Sequence, residues 1–284
     1  MTGLERFPES ILQVYLGRVL TAMGQYEQAE AQFQISIAPY QSERVRSLGL
    51  EQLAKYYMYR GKYSAMLQLF DERIKIFLAN KDENSAAESI AEKAYWMYMG
   101  WGDKDRVYKE LERITQLTDV YNEIYFARLA ATYALLGDFQ QAEIAAEQVT
   151  SQLMKLHFES HKLLQERDCR QAISVNNILN NKWDATGRVL YGYFNALCYY
   201  EQGELKNAEE AIINAANPFL RNSPYVRPQS FLLLGKIYQK QGNTQRAIEN
   251  YEKLLNLWND ADPDLPDLID AQQRLASLKG ASAK

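Results

Sequence analysis

The sequence predicts an all-α solenoid, a right-handed superhelix of about seven stacked helix pairs followed by a C-terminal capping helix. A short string of small, aromatic and glycine residues recurs along the chain, and apolar residues keep a helical period between its copies. Of the 284 residues, 47% are hydrophobic, 24% are charged and 7 are proline, which is typical of a folded protein rather than a disordered or fibrous one. A chain of this length fits a repeat array, in which each unit packs on its neighbours.

The recurring string has a small residue, an aromatic residue, a glycine, an aromatic or apolar residue and an alanine in fixed order. Its glycines stand 35 to 41 residues apart, except that 66 residues separate Gly137 from Gly203. Because 66 is close to two periods, we predict a degenerate pair there, with Arg167 in the glycine position and Ala172 in the alanine position. The clearest copies are Leu16-Gly17, Gly24, Tyr26, Ala29 and Phe33; Leu129-Ala130, Tyr133, Gly137, Phe139 and Ala142; and Leu234-Gly235, Tyr238, Gly242, Ala247 and Tyr251, with weaker ones at Gly61, Gly102 and Gly203.

Each element of the string has a mechanical reason. Glycine ends the first helix because a left-handed helix cap is cheap only without a β-carbon. The small residue and the alanine allow the two helices to cross closely, and the aromatic residues fill the remaining space. The predicted pairs are 9–40, 45–80, 86–118, 121–151, 153–182, 187–218 and 226–258; the turn-forming stretch 259–266 then leads into a capping helix over 267–278.

The string resembles the motif of the tetratricopeptide repeat family over nearly the whole chain, and the copies at Gly17 and Gly235 match best. The Gly102 copy departs from the motif, with Val107 in the alanine position. The resemblance implies a scaffold that binds a protein or a peptide. The ending 251–266 is similar to repeat segments that follow a kinase, cyclase or DNA-binding domain in large bacterial signalling proteins, so we expect a regulatory segment of a longer protein.

Counting along the first helices of a right-handed stack predicts which side chains face its concave groove. Interspersed cations and aromatic rings would suit an extended peptide with acidic groups. The competing interpretation is an ordinary solvated face with tyrosines partly in the core. The predicted partner-binding residues are Arg18, Lys55, Tyr59, Lys93, Trp96, Arg128, Tyr193, Tyr200 and Lys236, with Glu92 on the same face.

Charge and cysteine content exclude several function classes. A net charge of −4 provides no basic field for sequence-independent nucleic-acid binding. Cys169 and Cys198 are too few for a disulfide framework and favour a reducing compartment. Nothing resembles a secretory signal, and no stretch reaches the ~18 apolar residues of a membrane span. We therefore expect a cytoplasmic protein without a membrane partner.

No motif for catalysis, a cofactor or a metal stands out. His157 and His161 lie four residues apart, the spacing at which two imidazoles can share a metal, but further ligands are scarce, and we predict a solvent-facing or interface pair. We therefore predict a non-enzymatic scaffold with no cofactor. Two alternatives stay open: a peptide or small-ligand sensor whose superhelix tightens on binding, and a homo-oligomerisation module that buries a tyrosine-rich face.

Overall fold

The computed structural model describes residues 11–117, 122–182, 185–215 and 225–282. These residues form fifteen α-helices and one short 3-10 helix, with no strand among them, which confirms the predicted all-α solenoid class. The 3-10 helix, Glu112–Gln116, follows α6. The α-helices are α1 (Leu12–Ala22), α2 (Tyr26–Ser36), α3 (Glu43–Tyr59), α4 (Tyr63–Ala79), α5 (Glu83–Trp101), α6 (Lys104–Leu111), α7 (Glu123–Leu136), α8 (Phe139–Glu147), α9 (Gln152–Gln165), α10 (Cys169–Lys182), α11 (Ala185–Glu201), α12 (Leu205–Ala215), α13 (Val226–Lys240), α14 (Thr244–Leu257) and α15 (Pro266–Ser282).

Tight turns with one left-handed residue join the two helices of a pair. All six glycines of the recurring string have φ between 68° and 79°, as predicted. In the first turn the amide of Gln25 donates to the carbonyl of Leu20 at 2.9 Å, the bond that closes a left-handed helix cap. Arg167 takes the same conformation with φ 60°, and the amide of Asp168 donates to the carbonyl of Leu163 at 2.9 Å. The pair without a glycine therefore keeps the same turn.

Small residues stand where two helices of a pair cross closely. A β-carbon added to Gly17 would lie 2.6 Å from the ring of Phe33, and one added to Gly235 would lie 2.3 Å from the ring of Tyr251. Real β-carbons do not approach other atoms so closely, so the aromatic ring occupies the space that glycine leaves free. Ala247 of the last pair is likewise fully buried.

The solenoid curves far enough that the turn after α3 contacts the segment after α14. The guanidinium of Arg60 donates to the carbonyl oxygen of Leu257 at 2.9 Å, to Asn259 Oδ1 at 2.9 Å and to Asp260 Oδ1 at 3.0 Å. These residues are about two hundred positions apart in the sequence. We call this contact, between residues 59–64 and 257–262, the clasp.

Backbone and indole groups complete the clasp. Trp258 Nε1 donates to the carbonyl of Tyr59 at 3.1 Å, and the amide of Asp262 donates to the carbonyl of Gly61 at 3.0 Å. A β-carbon on Gly61 would lie 2.6 Å from that of Ala261, so this glycine serves both a left-handed turn and a close contact. The part of the solenoid from α3 to α15 is thereby closed on itself, and the α1–α2 pair lies before it. The right-handed sense and the number of repeats stay predictions.

The apolar core is also divided between the closed part and the first helix pair. The largest core cluster joins α3 and α4 to α10–α15, and it includes Met58, Tyr63 and Tyr251. A smaller cluster joins α1 and α2 to α3 through Phe33 and Tyr56. Helix α15 is longer than the predicted 267–278 and adds buried side chains to the large core. No described helix is long and apolar enough to cross a lipid bilayer.

Candidate functional site

The predicted partner-binding residues all lie on the first helices of their pairs, but they are unequally accessible. Arg18, Lys55, Arg128, Tyr200 and Lys236 are partly exposed. Three others, namely Tyr59, Lys93 and Tyr193, are buried, and Trp96 packs against the core. The open groove expected at these places is therefore not observed, because the closed solenoid brings opposite walls of the concave side into contact.

The cations of the inner surface are already paired with carboxylates. Lys55 and Arg73 both contact Glu51, at 2.5 and 3.2 Å between nitrogen and oxygen. Arg128 contacts Glu92 at 2.9 Å, and Arg73 lies 3.6 Å from the same carboxylate. Together these five side chains form a ladder of alternating charge across α3, α4, α5 and α7.

Electrostatics keeps the central carboxylate of this ladder ionised. Burial alone would raise the pKa of Glu92, but Arg128, Lys55 and Arg73 outweigh it and lower that pKa to about 2. A partner's acidic group would therefore have to compete with Glu92 for Arg128 and with Glu51 for Lys55. Recognition by these cations requires an exchange of ion pairs rather than the occupation of free charges.

Lys93 belongs to a separate, partly buried charge cluster. Its Nζ donates to both carboxylate oxygens of Asp71 at 2.9 Å and to Glu110 Oε2 at 2.9 Å. Arg113 binds the same two carboxylates. The cluster ties α4, α5 and α6 together, which gives Lys93 a structural role in the closed solenoid.

Aromatic side chains fill the middle of the closed part. The ring of Trp96 lies 4.8 Å from that of Tyr95 and 5.8 Å from that of Tyr225, which precedes α13. Tyr193 packs on the other side of Tyr225, with ring centroids 6.0 Å apart. The indole nitrogen of Trp96 is buried and has no hydrogen-bond acceptor within the described part of the chain. These side chains therefore form a packed aromatic interior, next to the partly exposed cations described above.

The two histidines lie in this interior, which corrects the prediction of a solvent-facing or interface pair. His161 is fully buried, and its Nε2 lies 2.9 Å from the hydroxyl of Tyr95. His157 is partly buried, and its Nδ1 lies 2.7 Å from the hydroxyl of Tyr191. Burial, together with the nearby His161 and Arg128, holds the pKa of His157 well below its usual value. Among the residues that the structure describes, no group of three or more metal-ligating side chains is found.

Sequence reasoning missed the clasp residues altogether. Arg60 and Lys62 are basic, and Asp260 and Asp262 are acidic, so a complementary charge signal exists in the sequence. Nothing local relates these segments, because their approach depends on the curvature summed over all the intervening helices.

An outward-facing cleft of about 470 Å³ lies between α8 and α9, away from the predicted residues. Three carboxylates line it, those of Glu143, Glu147 and Glu159, with Lys155 and the ring of Phe158 beside them. Its acidic walls do not suit the acidic peptide that the sequence suggested for the concave side.

Consecutive helix pairs that stack into a continuous core define an α-helical repeat protein. A family model described as a tetratricopeptide repeat matches residues 228–257, which cover most of α13 and α14. The predicted resemblance to the tetratricopeptide repeat family is confirmed, and this segment is such a repeat. The architecture is accordingly that of a protein-interaction scaffold.

Solved structures support the fold over a longer stretch. The human IFIT1 dimer with PPP-AAAA is 14% identical, with a TM-score of 0.53, over 84% of this chain and 59% of that one. The APC/C hetero-tetramer Cut9-Hcn1 is also 14% identical, with a TM-score of 0.54, over 98% of this chain and 57% of that one. The chain thus spans less than two thirds of either protein, and these likenesses show the fold alone. No curated protein sequence matches this chain.

Proposed function

We propose that the chain binds a protein or peptide partner along its inner surface and acts as the regulatory interaction module of a bacterial signalling protein. One observation carries the proposal: partly exposed cationic and aromatic side chains recur on the first helices of four pairs. They are Lys55 on α3, Arg128 on α7, Tyr200 on α11 and Lys236 on α13. A row with this spacing suits an extended segment with several acidic groups, since each repeat offers one contact.

The ion pairs of this row explain how a partner could bind at a low cost in free energy. Lys236 contacts Asp270 of α15 at 2.7 Å, in a pair about one quarter exposed. Such pairs contribute little net stability, so a partner carboxylate can replace an internal one at small cost. Tyr59 and Tyr193 would join the contact only if the clasp opens, and Lys93 would need to leave Asp71 and Glu110. We place the protein in the cytoplasm, where Cys169 and Cys198 would stay reduced, with no nucleic acid, membrane or cofactor in the mechanism.

Quantitative affinity purification from a bacterial lysate tests this proposal. The bait variant is Lys55→Ala with Lys236→Ala, and the matched control is Lys75→Ala with Lys206→Ala, which removes two exposed lysines outside the inner row. Trp96 and Arg128 are unsuitable targets, because the first packs in the core and the second pairs with buried Glu92. A partner retained by the intact chain and the control, but lost by the inner-row variant, supports the proposal. Equal recovery by all three baits places the binding site elsewhere.

A small-ligand sensor is the second candidate, and the buried Trp96 indole favours it. A donor without an acceptor, facing an aromatic interior, is what a bound carbonyl or hydroxyl would satisfy. Native mass spectrometry of the chain purified from bacterial cytosol would then show an adduct of low mass. Trp96→Phe should lose the adduct, because it removes the indole donor, and should keep the fold, because an aromatic ring still packs against Tyr95 and Tyr225. Spectra with the protein mass alone would count against a ligand retained through purification.

A further inference from the structure

One arginine at the junction that the clasp closes has no carboxylate to pair with. Arg227 lies in the first turn of α13, and its guanidinium carbon is 5.6 Å from the centroid of the Tyr59 ring on α3. Its Nε is buried without a hydrogen-bond acceptor, and it makes no ion pair within the part of the chain that the structure describes. Lys55, by contrast, lies one turn before Tyr59 and is paired with Glu51.

The position of Arg227 is unfavourable for a cation. The first turn of a helix carries partial positive charge on its free N–H groups, so α13 does not stabilise the guanidinium there. A buried N–H group without an acceptor loses the hydrogen bond that water would give it. The ring of Tyr59 attracts the cation, but this attraction is small for a side chain that is partly exposed. Natural proteins tolerate such features chiefly at functional sites, and what Arg227 lacks is an anion.

The ring of Tyr59 also carries a hydroxyl with hydrogen-bonding capacity to spare. This hydroxyl lies 3.4 Å from that of Tyr26, so one of the two donates to the other. Burial raises the pKa of Tyr59, although Arg227 and Arg60 oppose the shift, and the hydroxyl therefore keeps its proton. Two hydroxyls have two hydrogens, and their mutual bond uses one. The second hydrogen has no acceptor among the described residues.

We propose that this junction binds a carboxylate from the acidic segment of a protein partner, with Arg227 as the cation and the hydroxyls of Tyr26 and Tyr59 as further donors. A carboxylate accepts two parallel N–H bonds from a guanidinium, and its remaining lone pairs accept the hydroxyl hydrogen. Lys55 lies four residues before Tyr59 on the same face of α3, so the site continues the inner row. The inference rests on the proposed function, and it names the residue that receives an acidic group without breaking an internal ion pair.

Closure of the solenoid builds this site. Trp258 Nε1 donates to the carbonyl of Tyr59 at 3.1 Å, which fixes α3 beside the last helix pair. The guanidinium of Arg60, also part of the clasp, lies 4.5 Å from the centroid of the Tyr26 ring and holds that ring in place. Tyr26 and Arg227 are both partly exposed in the closed form. A partner carboxylate can therefore reach Arg227 while the clasp stays intact.

Titration calorimetry of the full chain with hexaglutamate at low ionic strength tests the site. Arg227→Met should weaken binding roughly tenfold or more, because a charge-assisted hydrogen-bond pair is lost. Tyr26→Phe should weaken it less, by roughly threefold, because only a neutral donor is removed. The matched control is Arg246→Met, which should leave the affinity unchanged. The guanidinium of Arg246 also lies over a tyrosine, 5.4 Å from the centroid of Tyr238, but it has the carboxylate of Glu209 at 3.9 Å.

Urea denaturation separates binding from a structural role of Arg227. Methionine keeps an unbranched stem on the Tyr59 ring, so Arg227→Met should leave the urea midpoint unchanged or raise it. A lower midpoint with unchanged affinity for hexaglutamate would give the guanidinium a structural role and overturn the proposal. Acetate at the same carboxylate concentration is the second probe. Equal affinity for acetate would assign the site to free anions and overturn the assignment to a partner segment.

Failure of this inference can be told apart from failure of the proposed function. An intact chain that does not bind hexaglutamate overturns the carboxylate site, even where the lysate experiment retains a partner that the inner-row variant loses. Binding of hexaglutamate that depends on Arg227 supports the site, even where no partner is recovered from the lysate. A recovered partner that the Arg227→Met bait retains as well as the intact chain also overturns the inference and leaves the proposed function standing.

Discussion

The first helix pair and the last one share a motif but differ in what surrounds them. Both place a glycine against an aromatic ring, Gly17 against Phe33 and Gly235 against Tyr251. The last pair packs against helices on both sides and is held across the solenoid by the clasp. The α1–α2 pair has its main contacts, among the described residues, with α3. The motif therefore determines the shape of a helix pair, whereas the closure of the solenoid determines how stable the pair is against local unfolding.

The clasp is the contact that distinguishes the closed part, and Arg60→Ala should break it. Arg60 makes three charge-assisted hydrogen bonds at 2.9 to 3.0 Å, and its side chain is 10% exposed. At roughly 1.5 kcal/mol for each of the three bonds, the loss in the free energy of unfolding is about 4.5 kcal/mol. Urea denaturation measures this loss of stability. Hydrogen exchange should also show that the amides of α14 lose more protection than those of α2.

Arg46→Ala is the control for that experiment. Arg46 also lies on α3 and pairs with Glu72 at 3.2 Å, but the pair is more exposed and lies outside the clasp. Its removal should cost less than about 1 kcal/mol. Equal losses from the two variants would mean that the clasp contributes nothing specific to closure.

The features of the single pairs could be predicted from the sequence, whereas the closure of the solenoid could not. The turns were predictable, even at Arg167, because a left-handed cap depends on a few adjacent residues and the repeat period supplies its position. The close crossings at Gly17 and Gly235 were predictable for the same reason. Both follow from the local string alone.

The closed interior was not predictable, because small differences in helix length and crossing angle add up along the solenoid. Helices α3, α4 and α5 have 17, 17 and 19 residues, longer than those of the first pair. Tyr59 and Tyr193 lie on the first helices of their pairs, as the repeat pattern predicts, yet their burial depends on walls that meet only after closure. The sequence can therefore predict which helix of a pair carries a residue, whereas it cannot predict how closely distant helices approach one another.

Protonation of the interior histidines should weaken the closed part at mildly acidic pH. Burial lowers the pKa of His161 to about 4, although its bond to the carbonyl of His157 opposes the shift. The unfolded imidazole takes up its proton near pH 6.5, so the stability is complete above that value and is lost as the pH falls towards 4. The loss is about 3 kcal/mol for His161, at roughly 1.4 kcal/mol per pH unit.

Urea denaturation at a series of pH values between 7 and 4 checks this expectation. Among the described residues, the titratable groups next to the pair are Tyr95, Tyr191 and Arg128, none of which changes charge in that window. His161→Gln should therefore flatten the profile, and hydrogen exchange in α2 should vary less with pH than in α9. A profile for the variant as steep as that of the intact chain would assign the pH dependence to other groups.

Replacing the buried alanine at a close helix crossing by leucine compares the stability of the first and last pairs directly. Ala247 of α14 and Ala29 of α2 are both fully buried. Ala247→Leu should lower the free energy of global unfolding by roughly 1–3 kcal/mol, because the closed core cannot yield locally. Ala29→Leu should instead loosen the first pair, which hydrogen exchange detects as faster exchange in α1 and α2 with a nearly unchanged global transition. Equal effects on the global transition would show that the first pair is as firmly held as the last.

Lys62→Ala removes only the surface ion pair of the clasp, and it should have the smallest effect on the free energy of unfolding. Lys62 pairs with Asp260 at 2.5 Å between nitrogen and oxygen, but both side chains reach solvent, unlike the guanidinium of Arg60. The expected loss is below about 1 kcal/mol and should shrink further as salt is raised, because exposed charges are screened. A salt titration of the melting temperature for the intact chain and the variant measures it. A loss as large as that for Arg60→Ala would mean that surface charge, rather than the buried hydrogen bonds to the backbone and to Asn259, holds the solenoid closed.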